Sequence, residues 1–261
     1  MRVVVTNDDG VTSPGIHALA AMLRGMGHEV TVVAPAADLS GAAAAIGRIT
    51  LGERLAMEPH PLPGDAAGIP AFALDGPPGL AVLVACQGGV GDPPDLVVSG
   101  INAGPNTGHS ILHSGTVGAA LTAASFGVSA IAVSAEVADP TPWHLADAHL
   151  ALAVDVIRTA PAATVFNLNV PARPARGLRW AALDRFGTVR VAVAERADTW
   201  VQMEFRAPEE PRPGSDTALL AEGYATITAI RGIGEVPPHG GGEGPGPHPE
   251  GRLTEVPADG D

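Results

Sequence analysis

Two adjacent carboxylates, Asp8 and Asp9, directly follow the β-branched run at residues 2–6, which is typical of a short buried strand. Two later loops, 35–47 and 99–106, also leave predicted strands and carry serine hydroxyl and asparagine amide groups. Because the carboxyl ends of parallel strands meet at one edge of an open sheet, we expect these loops to lie close together. Carboxylate, hydroxyl and amide oxygens form the all-oxygen shell that suits Mg²⁺ or Mn²⁺.

The segment Ser114-Gly115-Thr116 ends the third loop and opens the next predicted helix. A helix start offers backbone N–H groups to an anion, and the two hydroxyls could bind phosphate as well. A hard cation beside such a site indicates phosphoryl chemistry. Taken singly, Asp8-Asp9-Gly10 also fits a turn, and Ser114 also fits a helix N-cap. Their shared position at one edge of the predicted sheet favours the chemical interpretation.

Alternating strand and helix patterns predict the scaffold that positions these loops. The first βαβ unit consists of strand 2–6, helix 16–26 and strand 28–35, with Ser13-Pro14 as the helix start signal. Continued alternation predicts a Rossmann-like, doubly wound α/β fold with a mostly parallel sheet and a C-terminal β-hairpin extension. The remaining predicted strands are 70–75, 95–100, 128–134, 163–171 and 223–230, and the remaining helices are 79–86, 116–126 and 143–159.

The patterns divide the chain into three parts. Residues 1–176 are predicted to form the α/β catalytic core, and residues 177–230 a hairpin and a final strand. The hairpin spans 177–207, with its turn near Glu195 to Asp198. Residues 231–261 include 15 Gly or Pro among 31 residues and show no apolar periodicity, so they are predicted to form a flexible tail.

Composition excludes several classes of function. The net charge is −13 over 261 residues and there is no Lys, so long nucleic acids and anionic membranes are not expected partners. The single cysteine, Cys86, excludes an intramolecular disulfide framework and a Cys-rich metal site; its apolar setting predicts a small buried hydrophobe. No apolar run approaches the ~18 residues of a membrane-spanning helix, and no signal peptide is recognisable. These observations predict a cytoplasmic protein.

Taken in order, the motifs resemble those of the SurE family, the stationary-phase survival phosphatases that hydrolyse nucleoside monophosphates. The likeness extends over about residues 1–230 and lies in the order of the segments as much as in each one. The matching segments are Asn7-Asp8-Asp9-Gly10, Ser13-Pro14-Gly15-Ile16, Val32-Val33-Ala34-Pro35 with Ser40-Gly41, Ser99 to Gly108, Ser114 to Ala120, Asn167 to Pro171, Gly214-Ser215-Asp216 and Gly223 to Thr228.

The resemblance implies a role for each matched position. It implies metal-dependent hydrolysis of nucleoside 5′- or 3′-monophosphates or a related small phosphorylated metabolite, with one Mg²⁺ or Mn²⁺ per subunit. It also implies a homodimer or homotetramer, in which residues 177–230 act as the oligomerisation element and the hairpin around 178–207 is exchanged or docked between subunits. The implied catalytic residues are Asp8 and Asp9, the implied metal ligands are Asp8, Asp9, Ser40 and Asn102, and the implied phosphate or substrate contacts are Asn7, Gly41, Asn106, Ser114, Gly115 and Thr116.

The chain departs from the family pattern at several places near these motifs. Residues 76–81 read Gly-Pro-Pro-Gly-Leu-Ala where the family has Gly-Thr-Pro-Ala-Asp-Cys, and four alanines follow Ser40-Gly41. His113 replaces a tyrosine, so it could donate a proton to a leaving alkoxide or pack like the ring it replaces. These departures leave two alternatives open: a specialised phosphatase of a biosynthetic pathway, or a non-catalytic nucleotide-binding regulator. A dinucleotide-dependent oxidoreductase is disfavoured, because Asn7-Asp8-Asp9-Gly10 stands where such enzymes have a glycine-rich turn.

Overall fold

A parallel βαβ unit opens the fold. The computed structural model describes residues 1–50, 52, 54–187, 190–206 and 210–233. Strand β1 (Arg2–Thr6) leads through helix α1 (Pro14–Gly25) to strand β2 (Glu29–Pro35), which pairs with β1 in parallel. The helix starts two residues before its predicted position, because Pro14 occupies the first turn, where no backbone N–H is needed.

A sheet of nine strands forms the centre, and six of its eight pairings are parallel. Its order is β3-β4-β2-β1-β5-β6-β7-β11-β8, and only the pairs β3–β4 and β7–β11 are antiparallel within these described strands. The Rossmann-like α/β prediction is thus confirmed. The strands not yet located are β3 (Met57–Pro59), β4 (Ala71–Leu74), β5 (Leu96–Ala103), β6 (Ala130–Ala135), β7 (Val165–Val170), β8 (Leu178–Trp180) and β11 (Ala225–Ile230).

Helices cover both faces of this sheet. Helix α1 and helix α4 (Asp147–Ile157) bury Leu19 and Leu150 against one face. Helix α2 (Pro78–Cys86) and helix α3 (Gly115–Ser125) bury apolar side chains against the other face. The predicted helix 143–159 is divided, because Trp143–Ala146 forms a separate 3₁₀ turn before α4. Among the described helices, none has the length and apolar character needed to cross a bilayer.

The C-terminal part differs from the predicted pattern in detail. Strand β8 does not join the hairpin but extends the main sheet beside β11. The hairpin consists of β9 (Arg190–Arg196) and β10 (Val201–Arg206), and the N–H of Ala197 donates to the carbonyl of Trp200 across its turn. A short helix, α5 (Asp216–Ala221), precedes β11 and had no counterpart in the sequence pattern. The predicted flexible tail lies outside the described residues from position 234 onward.

Candidate functional site

Helix α3 begins directly on Asp8, at the carboxyl end of β1. The Asp8 side chain is 4% exposed, and its Oδ1 accepts a hydrogen bond of 2.6 Å from the Thr116 hydroxyl. The backbone N–H of Gly115 donates to the same carboxylate. A Cβ at Gly115 would lie 2.5 Å from Asp8 Oδ2, so only glycine allows this approach. The structure therefore brings together Asp8, Gly115 and Thr116, as the sequence predicts.

Negative charge is concentrated at this end of β1. Burial raises the pKa of Asp9 to about 6, and the carboxylates of Asp8 and Asp38 add to the shift. Burial is also the main cause that raises the pKa of Asp8, and among the described residues the charged neighbours that shift these two pKa values are carboxylates. Carboxylate oxygens that crowd together with the same negative charge suit a divalent cation as ligands. Within the described ranges no three His, Cys, Asp or Glu side chains form a metal-binding group, so hydroxyl, amide or water oxygens would complete the shell.

Asp38 lies in the loop after β2, and its charge raises the pKa values of Asp8 and Asp9. The sequence patterns did not indicate a role for this residue. Its Oδ1 accepts hydrogen bonds from the Ser40 hydroxyl at 2.7 Å and the Ser40 N–H at 2.8 Å, which lower its pKa. The neighbouring N–H of Leu39 donates to the Asp8 carbonyl at 2.8 Å. An acidic residue two positions before a serine is a recognisable turn signal that could have indicated this role. Ser40 is thus bonded to Asp38, and the adjacent Leu39 holds this loop on the main chain of Asp8. Gly41 follows, exposed, with φ of +85°.

The end of β5 and the loop that follows it supply the predicted amide groups at the same sheet edge. Asn102 is half-buried, and its Nδ2 donates to the carbonyl of Gly104 at 2.6 Å. The start of α1 packs on this segment, because a Cβ at Gly15 would lie 2.1 Å from the carbonyl oxygen of Ile101. The amide oxygen of Asn102 is not consumed by that internal bond, so the side chain retains an acceptor.

Asn106 is held by two asparagines from β7. Its backbone N–H donates to Asn169 Oδ1 at 2.8 Å, and its carbonyl accepts from Asn167 at 2.8 Å and Asn169 at 2.9 Å. Its own Nδ2 donates to the Ser134 hydroxyl at 2.9 Å. The Asn-x-Asn motif, which the sequence matched without a role, therefore fixes the main chain of the third loop.

The remaining predicted site residues have mixed environments. Asn7 is fully buried, and its Nδ2 donates to Ser13 Oγ at 2.7 Å and to the carbonyl of Gly10, which shapes the turn into α1. Ser114 is the N-cap of α3, with its Oγ accepting from the N–H of Val117 at 3.1 Å. His113 ends the 3₁₀ turn Gly108–His113 and is exposed. Substrate contacts by Asn7 and Ser114 and proton donation by His113 stay predictions.

The loop of alanines after Ser40-Gly41 lies across both helices of the α2–α3 face. A Cβ at Gly118 of α3 would lie 2.3 Å from the backbone of Ala43, and one at Gly79 of α2 would lie 2.6 Å from the carbonyl oxygen of Ala45. Gly79 belongs to the departing segment 76–81, so the two departures from the family pattern are in mutual contact. Cys86, at the end of α2, is half-buried, and burial raises its pKa to about 11.

Known proteins resemble this chain in sequence and in fold. The family model described as "Survival protein SurE" matches residues 3–192. The chain belongs to the SurE family. A relative named 5′-nucleotidase SurE 1, from Burkholderia lata, is 37% identical over 247 residues, covering 88% of this chain and 90% of that protein. A 5′-nucleotidase SurE from Anaeromyxobacter dehalogenans is 39% identical over 242 residues, covering 88% and 89%. The crystal structure of the SurE protein of Aquifex aeolicus matches with a TM-score of 0.72 and 29% identity, over 88% of this chain and 93% of that one.

Proposed function

We propose that this member of the SurE family is a divalent-metal-dependent phosphomonoester hydrolase. Its substrates would be nucleoside 5′- or 3′-monophosphates or a related small phosphorylated metabolite. The observation that carries the proposal is the contact of the α3 start with Asp8, beside Asp9, where burial and neighbouring carboxylates raise the pKa of both side chains. The curated relatives named 5′-nucleotidase support the nucleotide substrates.

The donor set suits one Mg²⁺ or Mn²⁺ per subunit. Asp8, Asp9, Ser40 and Asn102 would hold it, because they lie at or after the carboxyl ends of the adjacent parallel strands β1, β2 and β5 and each carries an oxygen ligand. When bound, the cation would neutralise phosphate oxygens and lower the pKa of a water molecule. Asp8 and Asp9 would be the catalytic residues, because they would hold the cation that supplies this chemistry.

The chain's own residues would place the phosphate. The backbone N–H groups at the start of α3 point toward the end of β1, and Ser114, Gly115 and Thr116 lie there. The hydroxyl of Thr116 fixes the orientation of Asp8. Asn7, Gly41 and Asn106 are proposed as further substrate contacts.

His113 is a candidate for the residue that donates a proton to the leaving group in this reaction. It is exposed at the end of its 3₁₀ turn, one residue before the α3 cap, which supports access to a leaving group more than packing as a buried ring. If it donates the proton, His113→Phe will flatten the limb of the pH–rate profile that reflects its protonation. An unchanged profile in that variant would leave His113 without a catalytic role.

The metal-dependent reaction is tested by measuring phosphate release. The purified chain is assayed with nucleoside 5′- and 3′-monophosphates, sugar phosphates and polyphosphate, with EDTA or with added Mn²⁺ or Mg²⁺. We expect release from monophosphates that EDTA abolishes and that the metals restore. Nucleotide binding without release under any condition would support the regulatory alternative instead.

One observation favours the alternative of a specialised phosphatase. The altered segment 76–81 contacts the loop after Ser40-Gly41, through Gly79 against Ala45 and through Pro77 near Gly47. Both surfaces differ from the family pattern, and both adjoin the loop that carries Ser40. In the assay above, preference for a sugar phosphate over every nucleotide would select this alternative.

We propose that residues 177–230 form the oligomerisation element of a homodimer or homotetramer. An isolated two-stranded hairpin has only marginal stability in water. This hairpin leaves a patch of large apolar side chains that are each between 49% and 58% exposed, and exposed apolar patches mark sites of protein–protein contact. Sedimentation velocity measures the oligomeric state directly. The patch consists of Val191, Val193, Trp200, Val201 and Met203.

Long nucleic acids and membranes remain unexpected partners given the charge of −13, and a cytoplasmic location stays a prediction.

A further inference from the structure

One buried carboxylate, Asp216, holds the loop that leads to the start of α3. Its Oδ2 accepts a hydrogen bond of 2.8 Å from the backbone N–H of Gly108. Gly108 begins the 3₁₀ turn that runs directly into the α3 cap, and Asn106 lies two residues before it. Asn167 and Asn169 fix the other end of this short loop. Residues 106–108 are therefore anchored at both ends by buried polar groups, which the proposed chemistry does not use directly.

Asp216 also binds a second part of the chain. It is completely buried, and its Oδ1 accepts from the N–H of Asp184 at 2.9 Å and from the N–H of Thr217 at 2.8 Å. Burial raises the pKa of this carboxyl, although the three N–H donors act in the opposite direction. Residues 184–187, here named the hairpin stem, connect β8 to the hairpin. A single side chain thus joins the stem to the loop 106–108.

The hairpin stem and the loop are in direct backbone contact. The N–H of His109 donates to the carbonyl of Asp184 at 3.1 Å. A Cβ at Gly108 would lie 2.3 Å from the carbonyl oxygen of Phe186, and one at Gly187 would lie 2.7 Å from the carbonyl oxygen of Thr107. Since the packing leaves no room for a methyl group on either side, movement of the stem must move the loop.

We propose that Asp216 is a positioning residue, which sets the loop 106–108 and the start of α3 against the hairpin stem in the arrangement that binds phosphate. This inference rests on the proposed function, because that function places phosphate at the start of α3. It also makes phosphate affinity depend on the hairpin stem, which Asp216 joins to the loop 106–108.

The test compares two buried aspartates in the same junction. Asp216→Asn keeps one acceptor oxygen but places an NH₂ group against one of its N–H donors. Asp184→Asn is the matched control, because Asp184 contacts Asp216 and the loop through its main chain, whereas its side chain accepts from the N–H groups of Arg185 and Arg212. For Asp216→Asn we expect the KM of the phosphate substrate and the inhibition constant of inorganic phosphate to rise about 10-fold or more. The Mn²⁺ dissociation constant should stay within about twofold, because Asp8 and Asp9 are untouched.

Hydrogen exchange of peptides spanning 104–114 gives a readout that is independent of turnover. Exchange should accelerate in Asp216→Asn and stay unchanged in Asp184→Asn. If Asp216→Asn does not fold, Gly187→Ala serves instead, because its methyl group pushes the stem from the loop while Asp216 stays intact. Unchanged exchange in the test variant, or equal KM effects in test and control, would overturn the proposal. Wild-type protein that neither binds nor releases phosphate would instead reject the proposed function.

Discussion

Replacing Asp8 with asparagine is expected to lower metal-dependent phosphate release on the order of 100-fold or more. Even groups one step removed from a metal are worth about 10–100-fold in affinity or activity, and Asp8 is proposed to touch the cation. The substitution removes one of two adjacent negative charges and replaces an oxygen ligand by an NH₂ group. The remaining amide oxygen can still accept from the Thr116 hydroxyl, so the start of α3 keeps its anchor.

The same variant separates a functional role for Asp8 from a structural one. In metal-free protein, Asp8→Asn should unfold at the same temperature or higher, because burial and the neighbouring Asp38 disfavour the Asp8 charge. Added Mn²⁺ should raise the Tm of the wild type but not of the variant. Asp155→Asn, at an exposed position on α4, is the matched control and should retain turnover and the Mn²⁺-induced shift. Retention of both properties in Asp8→Asn would refute the metal assignment.

Local sequence patterns were sufficient to predict the type and the approximate bounds of an element wherever that element is long and its periodicity is strong. The β-branched runs of β1 and β2 and the Ser13-Pro14 start of α1 gave correct types and nearly correct bounds. Helix α5 has six residues, too few to show a helical period, so it was missed. Strand β8 has three residues, and its pairing with β11 depends on a distant partner that no local pattern specifies.

The candidate site shows the same limit at the level of side chains. The topology of parallel strands was enough to expect Asp8 near the start of α3, because both lie at carboxyl ends of neighbouring elements. Asp38 and Asp216 were not assigned roles, because their importance comes from contacts between loops that are far apart in sequence. Their residue types alone fit exposed turn or helix-cap positions equally well.

Gly115→Ala is the second substitution for which we expect a large effect. Alanine is favoured over glycine inside a helix by roughly 1 kcal/mol, so propensity alone predicts a more stable α3. Here the added methyl group would lie 2.5 Å from Asp8 Oδ2 and 2.6 Å from Asp8 Cβ, in a fully buried contact. Because overpacking typically costs about 1–3 kcal/mol, the start of α3 and the Asp8 side chain must separate.

This separation should be visible in both activity and stability. We expect phosphate release to fall by about 100-fold, since a displacement near 1 Å at a reacting centre can cost that much. Thermal unfolding should occur at a lower temperature than in the wild type, against the trend of helix propensity. Gly25→Ala in α1 is the matched control, because no described atom beyond its chain neighbours and its own helix lies within 4 Å of its Cβ position. If Gly115→Ala behaves like Gly25→Ala in turnover and Tm, α3 does not begin on Asp8, and the proposed phosphate site loses its geometric basis.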